Sequence, residues 1–354
     1  MMNGKDIFDR EFIAAVLTRQ GNDLLKELNA LQSRCCSKVI HDTRVQSRRI
    51  RSALEAFCDL FNADAYKALY RDIRKITKLL GPPRETGVAL ELLQGLSNEG
   101  DLAEGICWEY LAERMEMRLR KQMIRLRRNL REIDTHQLQL RIQSLLGGFT
   151  FPSAIQIQQK GLDRGVRKPA QSPLFPKANY DCEYPLRIFR DLAEPILSFR
   201  PRYQFSRATD AHLHKMRINA KKLRYAMELF ASVWPHGLKD ECAAAHALQD
   251  ADGKYHDWCS LCDGLRKEIR HSHKRDAGHL AFQIGRLLAF ADDRRHELRK
   301  PILPAITSLQ SMLLPLLQEA NDESDSSPKP MAAAQSPGNA SANKHEYFKV
   351  PVKP

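Results

Sequence analysis

The stretch His41-Asp42-Thr43-Arg44-Val45-Gln46-Ser47-Arg48-Arg49-Ile50-Arg51, running on through Ala53, Leu54 and Glu55 to Phe57, decides how the chain is read. At about 100° per residue along a helix, His41, Arg44, Arg48 and Arg51 fall within about 80° of one another. Ile50, Leu54, Phe57 and Phe61 fall on the opposite side, where a core belongs. The same text recurs as His214-Lys215-Met216-Arg217-Ile218-Asn219-Ala220-Lys221-Lys222-Leu223-Arg224, running on to Glu228 and Phe230, at a constant offset of 214 − 41 = 173 residues. Ala53/Ala226, Glu55/Glu228 and Phe57/Phe230 are identical pairs, and Val45/Ile218, Arg48/Lys221, Arg49/Lys222 and Leu54/Met227 are conservative ones. An internal duplication of this kind predicts two halves of similar architecture.

Like charges three or four residues apart repel by about 0.2–0.5 kcal/mol per pair on a bare helix. Each row holds one acid to relieve this, Glu55 after Arg51 and Glu228 after Arg224. One carboxylate does not balance three cations and a histidine. Most charge runs are solvated faces, but a row kept through a duplication while its surroundings diverged points to an anion site.

Whole-chain features agree. The 354 residues, 43% hydrophobic, suffice for one large core or two smaller ones. Lys and Arg exceed Asp and Glu by 13, and the segment from Ala320 onward carries four of each sign, so the excess lies on the body. That balance argues for a polyanion: nucleic acid, an anionic membrane or polyphosphate. No run of apolar residues is long enough to span a membrane, and the N-terminal residues do not read as a signal peptide, so no membrane span is expected, and of the three polyanions the membrane is not counted among the expected partners. Eight cysteines without regular spacing read as reduced, in a cytoplasmic protein.

The doubled His-x-x-Arg-[Val/Ile]-x-x-[Arg/Lys]-[Arg/Lys]-[Ile/Leu]-Arg text resembles the CHAD domain (conserved histidine α-helical domain). Leu79-Leu80-Gly81-Pro82-Pro83-Arg84-Glu85-Thr86-Gly87-Val88 is similar to the family's first turn motif, with Glu85 where Asp is usual. Leu248-Gln249-Asp250-Ala251-Asp252-Gly253-Lys254-Tyr255-His256-Asp257-Trp258 is similar to its second, with Asp252 in place of the usual Leu. The resemblance covers about residues 6 to 318. It implies an all-α protein of two pseudo-twofold-related helical bundles, about four or more helices each, with basic helices lining a central groove or pore. It also implies binding of inorganic polyphosphate there, with no catalysis of the domain's own. No cofactor is expected, and polyphosphate granules are where such binding would target the protein.

On this reading residues 1–318 form the domain, with repeats at 6–146 and 182–318. A Gly- and Pro-interrupted connector spans 147–181, and a disordered tail spans 319–354. Helices are expected over 6–32, 37–60, 63–80, 84–96, 102–133, 184–199, 208–233, 239–249, 256–269, 277–299 and 301–319. Gly81-Pro82-Pro83 stops the third of these, because proline lacks an N–H and biases the residue before it out of the helical region.

The candidate polyphosphate-binding residues are Arg44, Arg48 and Arg51 of one half and Arg217, Lys221 and Arg224 of the other. The row from His41 to Arg51 rises about 15 Å, enough to track several phosphates. Arginine's planar fork contacts two phosphate oxygens, whereas lysine acts as a point charge. His41 and His214 read as hydrogen-bond donors to phosphate or, equally, as buttresses of the helix end. Arg74 and Lys78 on the next helix, and Arg118, Lys121 and Arg125 on the long basic helix, widen the track. The latter three read equally well as the exposed back of a long helix. Arg49 and Lys222 match the family motif but lie off the row.

Other chemistries are weaker. No phosphate-binding Gly-x-x-x-x-Gly-Lys-[Ser/Thr] loop and no Glu-x-Glu-x-Lys strand is present. Cys242, His246, Cys259 and Cys262 are zinc-ligand types, but they sit in amphipathic helices, where cysteine commonly packs as a small hydrophobe. No metal site is therefore expected, and the adjacent pairs His41-Asp42 and His256-Asp257 are too short a signal to change that. A nucleic-acid-binding helical module is the main alternative. Against it stand an aromatic content of 7%, with only Tyr225 beside the basic rows, and the lack of helix-turn-helix or zinc-finger spacing. A basic scaffold or adaptor protein is the third class.

Overall fold

The computed structural model describes residues 4–97, 106–147, 183–200, 204–206, 208–234, 236–273 and 278–325. Every regular element among them is helical. The helices are α1 (Gly4–Ser33), α2 (Ser37–Ala56), α3 (Ala63–Leu79), α4 (Gly81–Ser97), α5 (Ile106–Leu130), α6 (Thr135–Gly147), α7 (Glu183–Leu197), α8 (Asp210–Phe230), α9 (Lys239–His273), α10 (Gly278–Arg299) and α11 (Ile302–Asp325). A short 3-10 turn, Cys58–Leu60, follows α2. Among the described residues no helix is long and apolar enough to cross a membrane.

The punctuation follows local chemistry. The Asn62 side chain accepts from the N–H groups of Asp64 and Ala65 and so caps α3. Thr209 and His212 form a reciprocal capping box at the start of α8. Pro82 and Pro83 fall in the first turn of α4, where missing donors cost nothing, so α3 and α4 part only at Leu80.

Three departures from the sequence expectation have physical causes. The segment around Gly253, expected to be a turn between two helices, lies within the continuous α9. It lacks the prolines that follow Gly81, and a lone glycine costs a helix only about 1 kcal/mol. Helix α6 was not expected at all, although Asp134 accepts from the Gln137 N–H at its start and Leu138, Ile142, Leu145 and Leu146 are buried along one face. Helix α11 continues to Asp325, beyond the expected end at Glu319. The proposed connector, apart from Gly147, and residues 326–354 of the proposed tail lie outside the described residues.

The same packing scheme occurs in both halves. In the first, α1 packs on α2 and α6, and α3 on α2 and α6. In the second, α7 packs on α8 and α11, and α9 on α8 and α11. Between halves, α2 meets α8, α4 meets α9 and α5 meets α10. The duplicated phenylalanines meet as well: Phe57 and Phe230 are in edge contact, ring centroids 5.7 Å apart. Phe12 and Phe189 each lie 5.9 Å from Phe230. Aromatic pairs of this kind contribute about 0.5–1.5 kcal/mol each beyond burial, so this cluster is a strong tie between the halves. A second core joins α4, α5, α9 and α10 through Leu93, Leu111, Leu261, Leu265 and Ile284.

Candidate functional site

Helix α2 buries Ile40, Thr43, Ser47, Ile50, Ala53 and Leu54, which leaves its arginines on the other side. The two buried hydroxyls are satisfied: Thr43 donates to the Val39 carbonyl at 2.7 Å and Ser47 to that of Arg44 at 2.9 Å. From α3, Thr77 donates to the Ser47 oxygen at 3.0 Å. Helix α8 buries Leu213, Met216, Ala220, Leu223 and Met227 in the same manner.

Where α2 meets α8, two ion pairs cross between the halves. Arg49 pairs with Glu228 at 3.5 Å and Lys222 with Glu55 at 3.5 Å. Arg49 and Lys222 are duplicates of each other, as are Glu55 and Glu228, so this is one contact made twice. Exposed pairs of this kind contribute about 0–1 kcal/mol each; their importance is in fixing the register of the helices. Arg49 and Lys222 therefore face carboxylates of the opposite half, off the main row.

Between these clasps the cations of both halves crowd together. Burial, then Arg48, Arg217, Arg44 and Arg51, pulls the Lys221 pKa down from 10.5 to about 7. Burial also lowers Arg48, with Tyr225 and Glu85 opposing and Arg217 and Arg51 reinforcing. Arg44 falls to about 10, through burial and Arg48 first, with Arg84 and Arg217 reinforcing against Glu85. Four residues predicted from the two rows, Arg44, Arg48, Arg217 and Lys221, thus lie within electrostatic reach of one another.

Each half places an arginine against a glycine. A Cβ on Gly81 would stand 3.3 Å from Arg44 Nη1; one on Gly253 would stand 3.5 Å from Arg217 Nη2 and 3.6 Å from its Nε. The bare Cα lets each guanidinium lie close to the backbone. Arg44 also donates weakly to the Thr77 carbonyl at 3.5 Å.

The histidines flank this cluster in surroundings that disfavour their charged form. Burial, then Arg84, Arg48 and Arg44, lowers His41, with Asp42 opposing. Burial, His256, Arg217 and Lys221 lower His214 to about 4. Its ring centroid lies 4.3 Å from that of His256, and its Nδ1 has no hydrogen-bond partner among the described residues.

Other predicted residues are differently placed. Arg224 is buried and committed internally, donating to Gln249 at 3.2 Å and to Glu228 at 2.7 Å. Arg51 donates to the Tyr70 hydroxyl at 2.8 Å, and its guanidinium carbon lies 4.9 Å from that ring's centre. Arg74 and Lys78 are exposed on α3. Arg118, Lys121 and Arg125 are exposed on α5, which packs on α4 and α10. Among the described residues no hydrogen bond or ion pair ties these three to α2 or α8.

Sequence reasoning left out Arg84 and Glu85 on α4 and His256 and Asp257 on α9, which couple electrostatically to the cluster. Both pairs stand three and four residues after the glycines that carry Arg44 and Arg217, and that repeated spacing was the available signal. Cys242, His246, Cys259 and Cys262 do not form a site: Cys262 is in the second core, Cys259 lies against Asp210, and His246 pairs with Asp250 at 2.8 Å. Among the described residues no three His, Cys, Asp or Glu side chains are grouped to hold a metal ion.

A model of the CHAD domain family matches residues 15–266, more than half of the chain. No curated protein matches it. Two solved structures are similar. PptA from Streptomyces chartreusis aligns with a TM-score of 0.52 at 17% identity, covering 86% of this chain and 99% of that one. The crystal structure of the CHAD domain from the plant Ricinus communis aligns with a TM-score of 0.52 at 19% identity, covering 86% and 91%. At these identities the likeness is one of fold.

Proposed function

The chain belongs to the CHAD domain family, and on that premise we propose that it binds inorganic polyphosphate where α2 and α8 meet. Residues 6–146 and 182–318 act as two helical bundles related by a pseudo-twofold axis, and their basic helices line one groove between them. The observation that carries this reading is the meeting of the duplicated rows: Arg44 and Arg48 of one half press electrostatically on Arg217 and Lys221 of the other. Cations crowded to the point of depressing one another's pKa are costly unless a polyanion relieves them. The pairing of α2 with α8, α4 with α9 and α5 with α10, and of Phe57 with Phe230, supports the twofold relation.

The groove captures its ligand without turning it over. Arg44, Arg48 and Arg217 supply charge-assisted donors, and Lys221 supplies a charge that the ligand itself promotes. His41 and His214 donate to phosphate oxygens once a bound polyanion favours their protonation. Arg74 and Lys78 extend the track at the edge of α3. The protein works in the cytoplasm, gathered on polyphosphate granules.

Such binding weakens steeply with salt; for DNA, log K falls with log salt at a slope of about −0.9 per neutralised phosphate. The test is titration of the purified protein with long-chain polyphosphate and with DNA and RNA of equal charge at physiological salt. Preference for polyphosphate is expected. Preference for nucleic acid would overturn the assignment in favour of a nucleic-acid module, and indifference to all three would favour a protein scaffold.

A further inference from the structure

Gly81 and Gly253 occupy equivalent places, and the residues before them differ in kind. Leu80 is fully buried in the core; its counterpart Asp252 is also buried, at 1% exposure. Neither carboxylate oxygen of Asp252 has a hydrogen-bond partner among the described residues. A buried carboxylate left this way is unfavourable when ionised.

Its surroundings are charged. Arg217, from α8, lies against the adjacent Gly253, and its Nε is likewise unpartnered among the described residues. Asp210, at the start of α8, repels the ionised form but is itself engaged by Tyr255 of α9 and Arg295 of α10. From α9 come His256 and Asp257, both coupled to Arg217, with Arg84 of α4 acting on Asp257. His214 and Lys221 complete the α8 side. Helix α11 contributes Ile302, Ile306 and Leu309 to the core that includes Leu248 and Tyr255 of α9.

We infer, resting on the binding reading above, that Asp252 is a binding determinant of the α8 half: a buried counter-charge to Arg217 that takes up a proton when a polyanion docks. Ionised, it competes with phosphate for Arg217 and repels the ligand. Protonated, it leaves the guanidinium charge to the ligand and no longer holds a buried charge without a hydrogen-bond partner. Burial, set against the attraction of Arg217, raises its pKa from 3.8 to about 7, so little is needed to change its state near neutrality. Linkage is reciprocal: a ligand that promotes protonation binds more tightly where protons are plentiful. Lys221 adds to the same dependence. In the first half Leu80 has no charge to gain or lose.

The test is calorimetric titration of the full chain with long-chain inorganic polyphosphate at pH 6, 7 and 8, in two buffers of different ionisation heat, for the wild type, Asp252→Leu and Asp252→Asn. The wild type should bind more weakly as pH rises and take up protons on binding. Both variants should match it at pH 6, bind about fivefold more tightly at pH 8, the effect of one nearby screened charge, and take up fewer protons. Asp252→Asn keeps the shape should Asp252→Leu fail to fold. An unchanged pH slope and proton count in a folded variant would overturn the role of Asp252 alone. A wild type that binds no polyphosphate at pH 6 would overturn the binding reading, and Asp252 with it.

Discussion

Replacing Lys221 with methionine should stabilise the free protein while weakening its hold on polyphosphate. Lys221 is partly buried, and burial followed by Arg48, Arg217, Arg44 and Arg51 takes its pKa from 10.5 to about 7. A change of that size corresponds to about 5 kcal/mol between the protonation states, at about 1.36 kcal/mol per pKa unit. Solvent screening of a partly exposed side chain reduces this, and about 1–2 kcal/mol is a reasonable expectation. The sign follows from linkage: the folded-state pKa lies below the unfolded one, so the unfolded chain holds more protons between about pH 7 and 10.5. The penalty is therefore complete below about pH 7 and disappears as pH rises toward 10.5. Methionine keeps the stem and removes the ammonium. Urea denaturation at pH 6.5 and pH 9.5 should find Lys221→Met more stable than wild type at the lower pH, with the advantage shrinking at the higher. Polyphosphate affinity at pH 6.5 should drop about tenfold, the equivalent of 1.4 kcal/mol. A variant less stable than wild type at pH 6.5, or equally advantaged at both values, would refute the reasoning.

Two further substitutions examine the geometry around the cluster. Arg49→Glu should cost about 0.2–1 kcal/mol in thermal or urea unfolding, whereas Arg49→Lys, which keeps a cation opposite Glu228, should cost less; equal losses in the two variants would mean that the clasp does not fix the helices. Gly81→Ala should leave stability equal to wild type or raise it by up to about 1 kcal/mol, because alanine is the better helix former. It should nevertheless weaken polyphosphate binding, since the new Cβ displaces the Arg44 guanidinium from 3.3 Å; unchanged affinity in the titration would detach Arg44 from the site.

The helices that mattered most were legible because the sequence states them twice. Identical register over His41–Arg51 and His214–Arg224 determined the faces of α2 and α8, and the apolar residues opposite them are buried as expected. The continuity of α9 was less legible because a Gly-containing motif reads as a turn whether or not prolines follow, and packing against α8 and α10 prevails over so weak a breaker. Periodicity marks which way a side chain leaves its helix but not what waits there. Arg224 shares the row with Arg217, yet meets Gln249 from α9 and its own Glu228. Arg84 and His256 lie more than 30 residues beyond the ends of their rows at Arg51 and Arg224, and only tertiary packing brings them there. Asp252 stood out in the text as a carboxylate in place of leucine; its burial became visible only once the helices were assembled.

The central claim is that two copies of one basic row act as a single site. A double-mutant cycle on Arg48→Glu and Lys221→Glu, read as polyphosphate affinity at physiological salt with helicity checked by circular dichroism, tests it most directly. Each single reversal should remove most of the binding, with the double variant losing little more. Affinity that survives both changes, or losses that simply add as though two separate sites were involved, would contradict the account.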